Sequence, residues 1–165
     1  SQVVLVTTSQ YQADQTRDYL LRFLEGIPRV KTARESLKKS RIIVLEEKDV
    51  PEIINSYAPE HLIIATREPE QLAAQVRNAG SVFLGSYTPE SLGDYASGTN
   101  HVLPTNGSAK AFSGVNLDSF MKKITFQMAT KEGLQQIGSS VETMASVEQL
   151  EAHRLAVSIR TKNQM

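Results

Sequence analysis

Residues 3–8, VVLVTT, form a short β-branched run that opens an alternation extending over the first half of the chain. Such a run, bounded by polar residues, predicts a buried strand. Ser9 stands where an N-cap belongs, and Tyr19, Leu20, Phe23 and Leu24 then recur at helical spacing along one face. A second, shorter helix around Thr32–Lys39 leads to the apolar run RIIVLE (41–46), which predicts another buried strand. Asp49 is placed to cap a third helix, with Pro51 in the first turn where a missing N–H costs little. LIIAT (62–66) is the third strand. EPEQLAAQVRNAG (68–80) reads as a helix closed by Gly80, and SVFLG (81–85) as the fourth strand.

Strands alternating with helices predict βαβ units, hence an α/β fold with a largely parallel sheet. Ligands in such sheets gather beyond the carboxyl ends of the strands, here the segments after 46, 66 and 85. Residues 86–114 lose all periodicity and are rich in Gly, Ser, Thr, Asn and Pro. A loop of that length is functional or disordered. Tyr87, Tyr95, Val102, Leu103 and Phe112 predict anchoring contacts and an ordered loop. VNLDSFMKKITFQMAT (115–130) reads as a helical turn followed by a strand. Two helices follow, about 131–144 and 146–162, so a boundary is expected near 116–130.

Composition narrows the function classes. The chain has 165 residues, 40% hydrophobic and 22% charged, which suits one globular domain of ordinary size. Its formal net charge of zero supplies no field favouring nucleic acid or an anionic membrane. With no Cys, disulfides, thiol nucleophiles and cysteine-based metal sites are excluded. No apolar run reaches the ~20 residues of a membrane span, and the start has no signal-peptide pattern. A cytoplasmic location is expected. The first residue is not Met and a strand begins almost at once, which is expected either of a trimmed chain or of a piece of a longer protein.

Only three histidines occur, and two sit near carboxylates in segments without helical periodicity. Glu60 and His61 adjoin in YAPEHL, and a histidine beside a carboxylate can share proton transfer at neutral pH. From spacing alone, a surface Glu and a helix-terminal His stabilised by the macrodipole explain the pair better. Asp94 and His101 lie in GDYASGTNH; oxygen and imidazole nitrogen suit zinc, but two ligands are too few and the spacing fits no compact motif. Glu148 and His153 are five apart on the last helix, where a histidine between Leu150 and Val157 is more often part of a packing face than a ligand. The chain contains no G-x-G-x-x-G, no P-loop and no G-x-S-x-G.

The segments YAPEHLIIAT, NAGSVFLGSYTPESLGDYASGTNHVLPTNG and SVEQLEAHRLAVSIR resemble the histidinol dehydrogenase family, in order and across essentially the whole chain. The resemblance is to the C-terminal part of that enzyme. It implies that residues 1–115 form the C-terminal half of a Rossmann-like α/β domain, and that 116–165 form a mostly helical tail contributing to dimerisation. The implied activity is zinc-dependent oxidation of L-histidinol through L-histidinal to L-histidine, the end of histidine biosynthesis, with reduction of two NAD⁺. Glu60 and His61 resemble the acid/base pair, with His61 also at the substrate. Asp94 and His153 resemble zinc ligands that also line the substrate site, His153 reaching the partner's site in a homodimer. His101 and Glu148 resemble substrate-binding residues. One shared site would then account for all three histidines.

The family's remaining two zinc ligands, a Gln and a His, and its NAD contacts belong to a segment upstream of the matched one. No such pair exists here, so the isolated chain is expected to be inactive. Two other readings stay open: an NAD-dependent dehydrogenase of another small alcohol, and a non-catalytic binding or assembly module.

Overall fold

The structure is a computed structural model that describes residues 2–162. It divides into two compact units, the first ending at Met121 and the second beginning at Lys122.

In the first unit, β1 (Val4–Thr7) is followed by α1 (Gln10–Leu24), α2 (Val30–Lys39) and β2 (Arg41–Val44). Ser9 caps α1 as expected, its side chain accepting from the Gln12 N–H, and β1 and β2 pair in parallel with Val4 opposite Arg41. Then come α3 (Val50–Tyr57), β3 (His61–Ile64), α4 (Pro69–Ala73) and β4 (Ser81–Leu84). β3 and β4 are also parallel, with His61 opposite Ser81. The architecture is therefore mixed α/β with short parallel strands flanked by helices. The two ladders are separate two-stranded sheets. Among the described residues, no helix is long and apolar enough to cross a membrane.

Pro51 lies in the first turn of α3, while Asp49 occupies the N-cap position without a side-chain cap bond. The helix ends at Ala58, whose backbone is left-handed (φ 52°, ψ 66°) and whose methyl is buried. A non-glycine residue there costs roughly 1–2 kcal/mol. The Ala58 N–H donates to Ile54 O at 2.8 Å, which satisfies the last turn while redirecting the chain into Pro59.

Four local expectations are corrected. The helix expected over 68–80 stops at Ala73, because buried Asn55 captures the chain beyond it. The Asn55 amide donates to Gln75 O (3.0 Å) and its Oδ1 accepts from the N–H groups of Arg77 (2.6 Å) and Asn78 (3.1 Å). Gly80 is thus not a helix terminator. A Cβ there would stand 2.5 Å from Glu60 O, so glycine permits close approach to β3. Residues 86–114 are not all loop: α5 (Glu90–Tyr95) lies within them, as does a 3₁₀ turn at Ser108–Lys110. The side chains of Tyr87, Tyr95, Val102 and Phe112 are exposed rather than buried as anchors; Gly93, Pro104 and Ala109 are the buried positions, with Leu103 half-buried. Finally, residues 121–130 form no strand although Ile124, Phe126 and Met128 alternate, since no neighbouring ladder pairs with them.

The second unit is an antiparallel-type pairing of α6 (Lys131–Val147) with α7 (Glu151–Lys162). Thr130 caps α6 through the Gly133 N–H. α6 ends in a Schellman turn: Gln149 is left-handed (φ 60°), Leu150 N–H reaches Ala145 O and Gln149 N–H reaches Ser146 O. Gly138 lets α7 approach closely, because a Cβ would lie 3.0 Å from Thr161 Cγ2, and Ser158 donates to Glu142 Oε1 at 2.6 Å. In both units the core is thin. Buried apolar residues are mostly alanines with Ile54, Ile64 and Phe83, while Ile137, Met144 and Val147 of α6 stay exposed.

Candidate functional site

The site is built on the β3–β4 ladder. Ala58 and Pro59 turn the chain out of α3, so Glu60 precedes the ladder and His61 is its first residue. The site thus begins at the amino end of β3, not beyond a carboxyl end. Glu60 O accepts from Ser81 N–H and Pro59 O from Gly80 N–H, each at 2.9 Å, which pins this backbone to β4.

The His61 ring stacks on Phe83 with centroids 6.0 Å apart and planes inclined by 25°. Phe83 in turn supports α5: a Cβ on Gly93 would lie 2.6 Å from Phe83 Cε1, so only glycine lets the helix approach this near. Thr99 Oγ1 donates to Gly93 O at 3.1 Å and ties the following loop to the same turn. With Gly93 pressed inward, Glu90 and Asp94, four residues apart, both face the imidazole. Asp94 Oδ1 is 3.4 Å from His61 Nε2, and Glu90 Oε1 is 3.8 Å from the same nitrogen. His61 and Asp94 are half-buried, while Glu90 is exposed.

His61 and Asp94 were singled out in the sequence, and the fold brings them together. Glu60 is half-buried beside them in the chain. Glu90 was missed because α5 was missed; Pro89 followed by an acidic first turn, with a carboxylate four residues on, was the available signal. His101 is exposed and joins no hydrogen bond or ion pair among the described residues. A surface cavity of about 370 Å³ lined by Gln10, Asp14, Arg17, Ile42 and Val44 involves none of the candidate residues.

Glu148 and His153 belong to the second unit. Glu148 is the exposed C-cap of α6, and His153 is exposed in α7. Between them, Glu151 accepts from Arg154 Nε at 2.9 Å. That hydrogen bond holds the Glu151 carboxyl below its usual range and raises the guanidinium above its own.

His61, Glu90 and Asp94 each offer one donor atom, and these atoms lie within 4.8 Å of one another. One imidazole nitrogen with two carboxylate oxygens can pass protons or hold a borderline divalent cation.

Comparison with known proteins assigns this arrangement to a family. The family model for histidinol dehydrogenase matches residues 1–161. Histidinol dehydrogenase of Bacteroides thetaiotaomicron is 52% identical over 161 residues, covering 97% of this chain and 38% of the relative. That of Vibrio cholerae is 48% identical over 163 residues, covering 98% and 38%. The crystal structure of histidinol dehydrogenase from Elizabethkingia anophelis superposes with a TM-score of 0.89 at 51% identity, covering 98% of this chain and 38% of that one. The chain therefore spans 38% of the length of the relatives it matches. By model, sequence and structure alike, it belongs to the histidinol dehydrogenase family.

Proposed function

We propose that the chain supplies the acid/base and part of the metal and substrate machinery of an enzyme that oxidises L-histidinol through L-histidinal to L-histidine. The observation that carries this reading is the meeting of His61 with Asp94, at 3.4 Å, beside Glu60 in a chain of this family. His61 takes the alcohol proton in the first oxidation. Glu60 takes a proton from the water that attacks the aldehyde in the second. Two successive oxidations at one carbon each need a proton acceptor, and adjacent residues at the start of one strand meet that need. The ring's stacking on Phe83 fixes its plane.

The nitrogen and carboxylate donors around His61 fit a zinc ion, and we assign Asp94 to it, with His153 reaching the metal in the partner subunit's site. Zinc, when bound, orients the substrate's imidazole and amine. Glu148 and His101 contact the substrate, Glu148 through its amine. Asp94 and His153 also border the substrate. The enzyme is a cytoplasmic homodimer whose site is shared between subunits. The family's second cofactor is NAD, but this chain has no glycine-rich phosphate turn, and we assign none of its residues to NAD.

The test is a chimera in which this chain replaces the matching segment of the Bacteroides thetaiotaomicron relative. It should form NADH when given histidinol, and His61→Asn should lower kcat by about 10²–10⁴-fold. The chain alone should form none. A folded chimera indifferent to His61→Asn would overturn the assignment.

A further inference from the structure

We infer that Phe83 is the positioning residue of this site: one buried ring that sets both the plane of the His61 imidazole and the distance at which α5 presents Asp94 to it. The inference rests on the reading of His61 as a proton acceptor and extends it to a residue that touches no ligand. With 5% of its surface exposed, Phe83 has almost nothing to offer a substrate, and what it does for the reaction it does through its neighbours.

His61 needs an external guide. The torsion that turns an imidazole about its Cβ–Cγ bond has broad wells, so the backbone does not choose the ring plane. The usual remedy is a hydrogen bond to the ring nitrogen that does not react. Here both carboxylates face the same nitrogen, Nε2, at 3.4 and 3.8 Å. Both distances exceed the ordinary N–H···O range of about 2.7–3.2 Å. Among the described residues, no hydrogen bond reaches Nδ1. What remains is the face of Phe83, with centroids 6.0 Å apart and planes inclined by 25°, the geometry of an offset aromatic pair. The register explains the meeting. His61 lies opposite Ser81, so Phe83 stands two residues along β4 on the same face of the ladder.

The same ring sets α5. A Cβ on Gly93 would stand 2.6 Å from Phe83 Cε1 and 2.9 Å from Cζ, so the helix backbone rests on the ring edge. Asp94 is the next residue, and a helix of six residues has little stability of its own with which to place it otherwise. Phe83 thus lies against both partners of the 3.4 Å contact. Leucine would fill much of its volume but present no flat face.

The test compares Phe83→Leu, Gly93→Ala and the double variant, in the chimera for kinetics and in the chain itself for ring order by NMR relaxation. Circular dichroism checks that each is folded. In the parent, the His61 ring should be as ordered as the backbone, unlike the exposed rings of His101 and His153, and Phe83→Leu should release it. Phe83→Leu should also lower kcat by about 10–10²-fold with KM for histidinol little changed, because orientation is lost while binding groups stay. Gly93→Ala should lower the urea midpoint. Adding Phe83→Leu should bring the midpoint back to that of Phe83→Leu alone with kcat still low, since the clash goes but the flat face does not return. A mobile His61 ring in the parent, equal ring order in Phe83→Leu, an unchanged kcat, or a double variant with the parent's kcat would each overturn the inference. A chimera inactive with Phe83 intact would instead strike the proposed reaction, and ring order alone would then decide the role of Phe83.

Discussion

Replacing Gly80 by Ala tests whether the candidate site depends on a close approach of backbone to backbone. The new methyl would stand 2.5 Å from Glu60 O and 3.0 Å from Pro104 Cδ, both atoms of stiff groups. Ordinary C···O contacts begin near 3.3 Å, so the strands must separate by roughly 0.8 Å. The Gly80–Pro59 and Ser81–Glu60 bonds, now 2.9 Å, would then exceed hydrogen-bonding distance. Two such bonds are worth about 1 kcal/mol each. Overpacking adds about 1–3 kcal/mol. Loss of glycine's freedom in the unfolded chain returns about 0.4–1 kcal/mol. The net expectation is a loss of roughly 2–4 kcal/mol, or a urea midpoint lower by about 1–2 M at ordinary m-values. Gly26→Ala is the control, since its Cβ would make only an ordinary 3.6 Å contact. Equal midpoints for the two variants would refute the reasoning.

Two further outcomes can be measured on the same chain. Asn55→Ala leaves the Arg77 and Asn78 N–H groups without their acceptor and should cost about 2–4 kcal/mol, with faster hydrogen exchange at those two amides; unchanged exchange would count against the clamp. The Glu151–Arg154 contact stabilises the folded state only while Glu151 is ionised. Because its folded pKa is lowered, this contribution is complete above the ordinary carboxylate pKa and fades as pH falls through the lowered one. The parent's α7, followed by circular dichroism, should therefore be slightly more stable than that of Glu151→Gln at neutral pH, the difference being small because the pair is exposed, and the two should converge as pH falls through the lowered pKa; a difference that persists in acid would refute the assignment.

The sequence is most legible where local pattern and tertiary setting agree. Ser9 before α1 and the positions of the four strands are of that kind, although β2, expected to be buried, leaves Arg41, Ile42 and Val44 exposed. It misleads where a distant group decides. Residues 74–80 have good helical propensity, but Asn55, about twenty positions earlier, offers their N–H groups a different acceptor. Ile124, Phe126 and Met128 alternate as a strand should, yet a strand exists only through its neighbour. For the site, scarcity of histidine pointed to His61 and its carboxylate neighbourhood. Pro89 and the acidic first turn signalled a helix carrying Glu90, but no local pattern in TPESLGDY reveals that Gly93 packs on Phe83 and so brings that helix to the imidazole.

The elbow at Ala58 and Pro59 has a consequence for how a ligand would be received. Ala58 is held left-handed by burial, and the pyrrolidine ring of Pro59 locks the next φ. Two successive residues thus have almost no torsional freedom just before Glu60 and His61. Ordering of that pair is completed when the chain folds, and little entropy remains to be lost when substrate or metal arrives. Flexibility that substrate entry demands must be found elsewhere, and the exposed end of α5, at Glu90, is where the side chains still have room to turn.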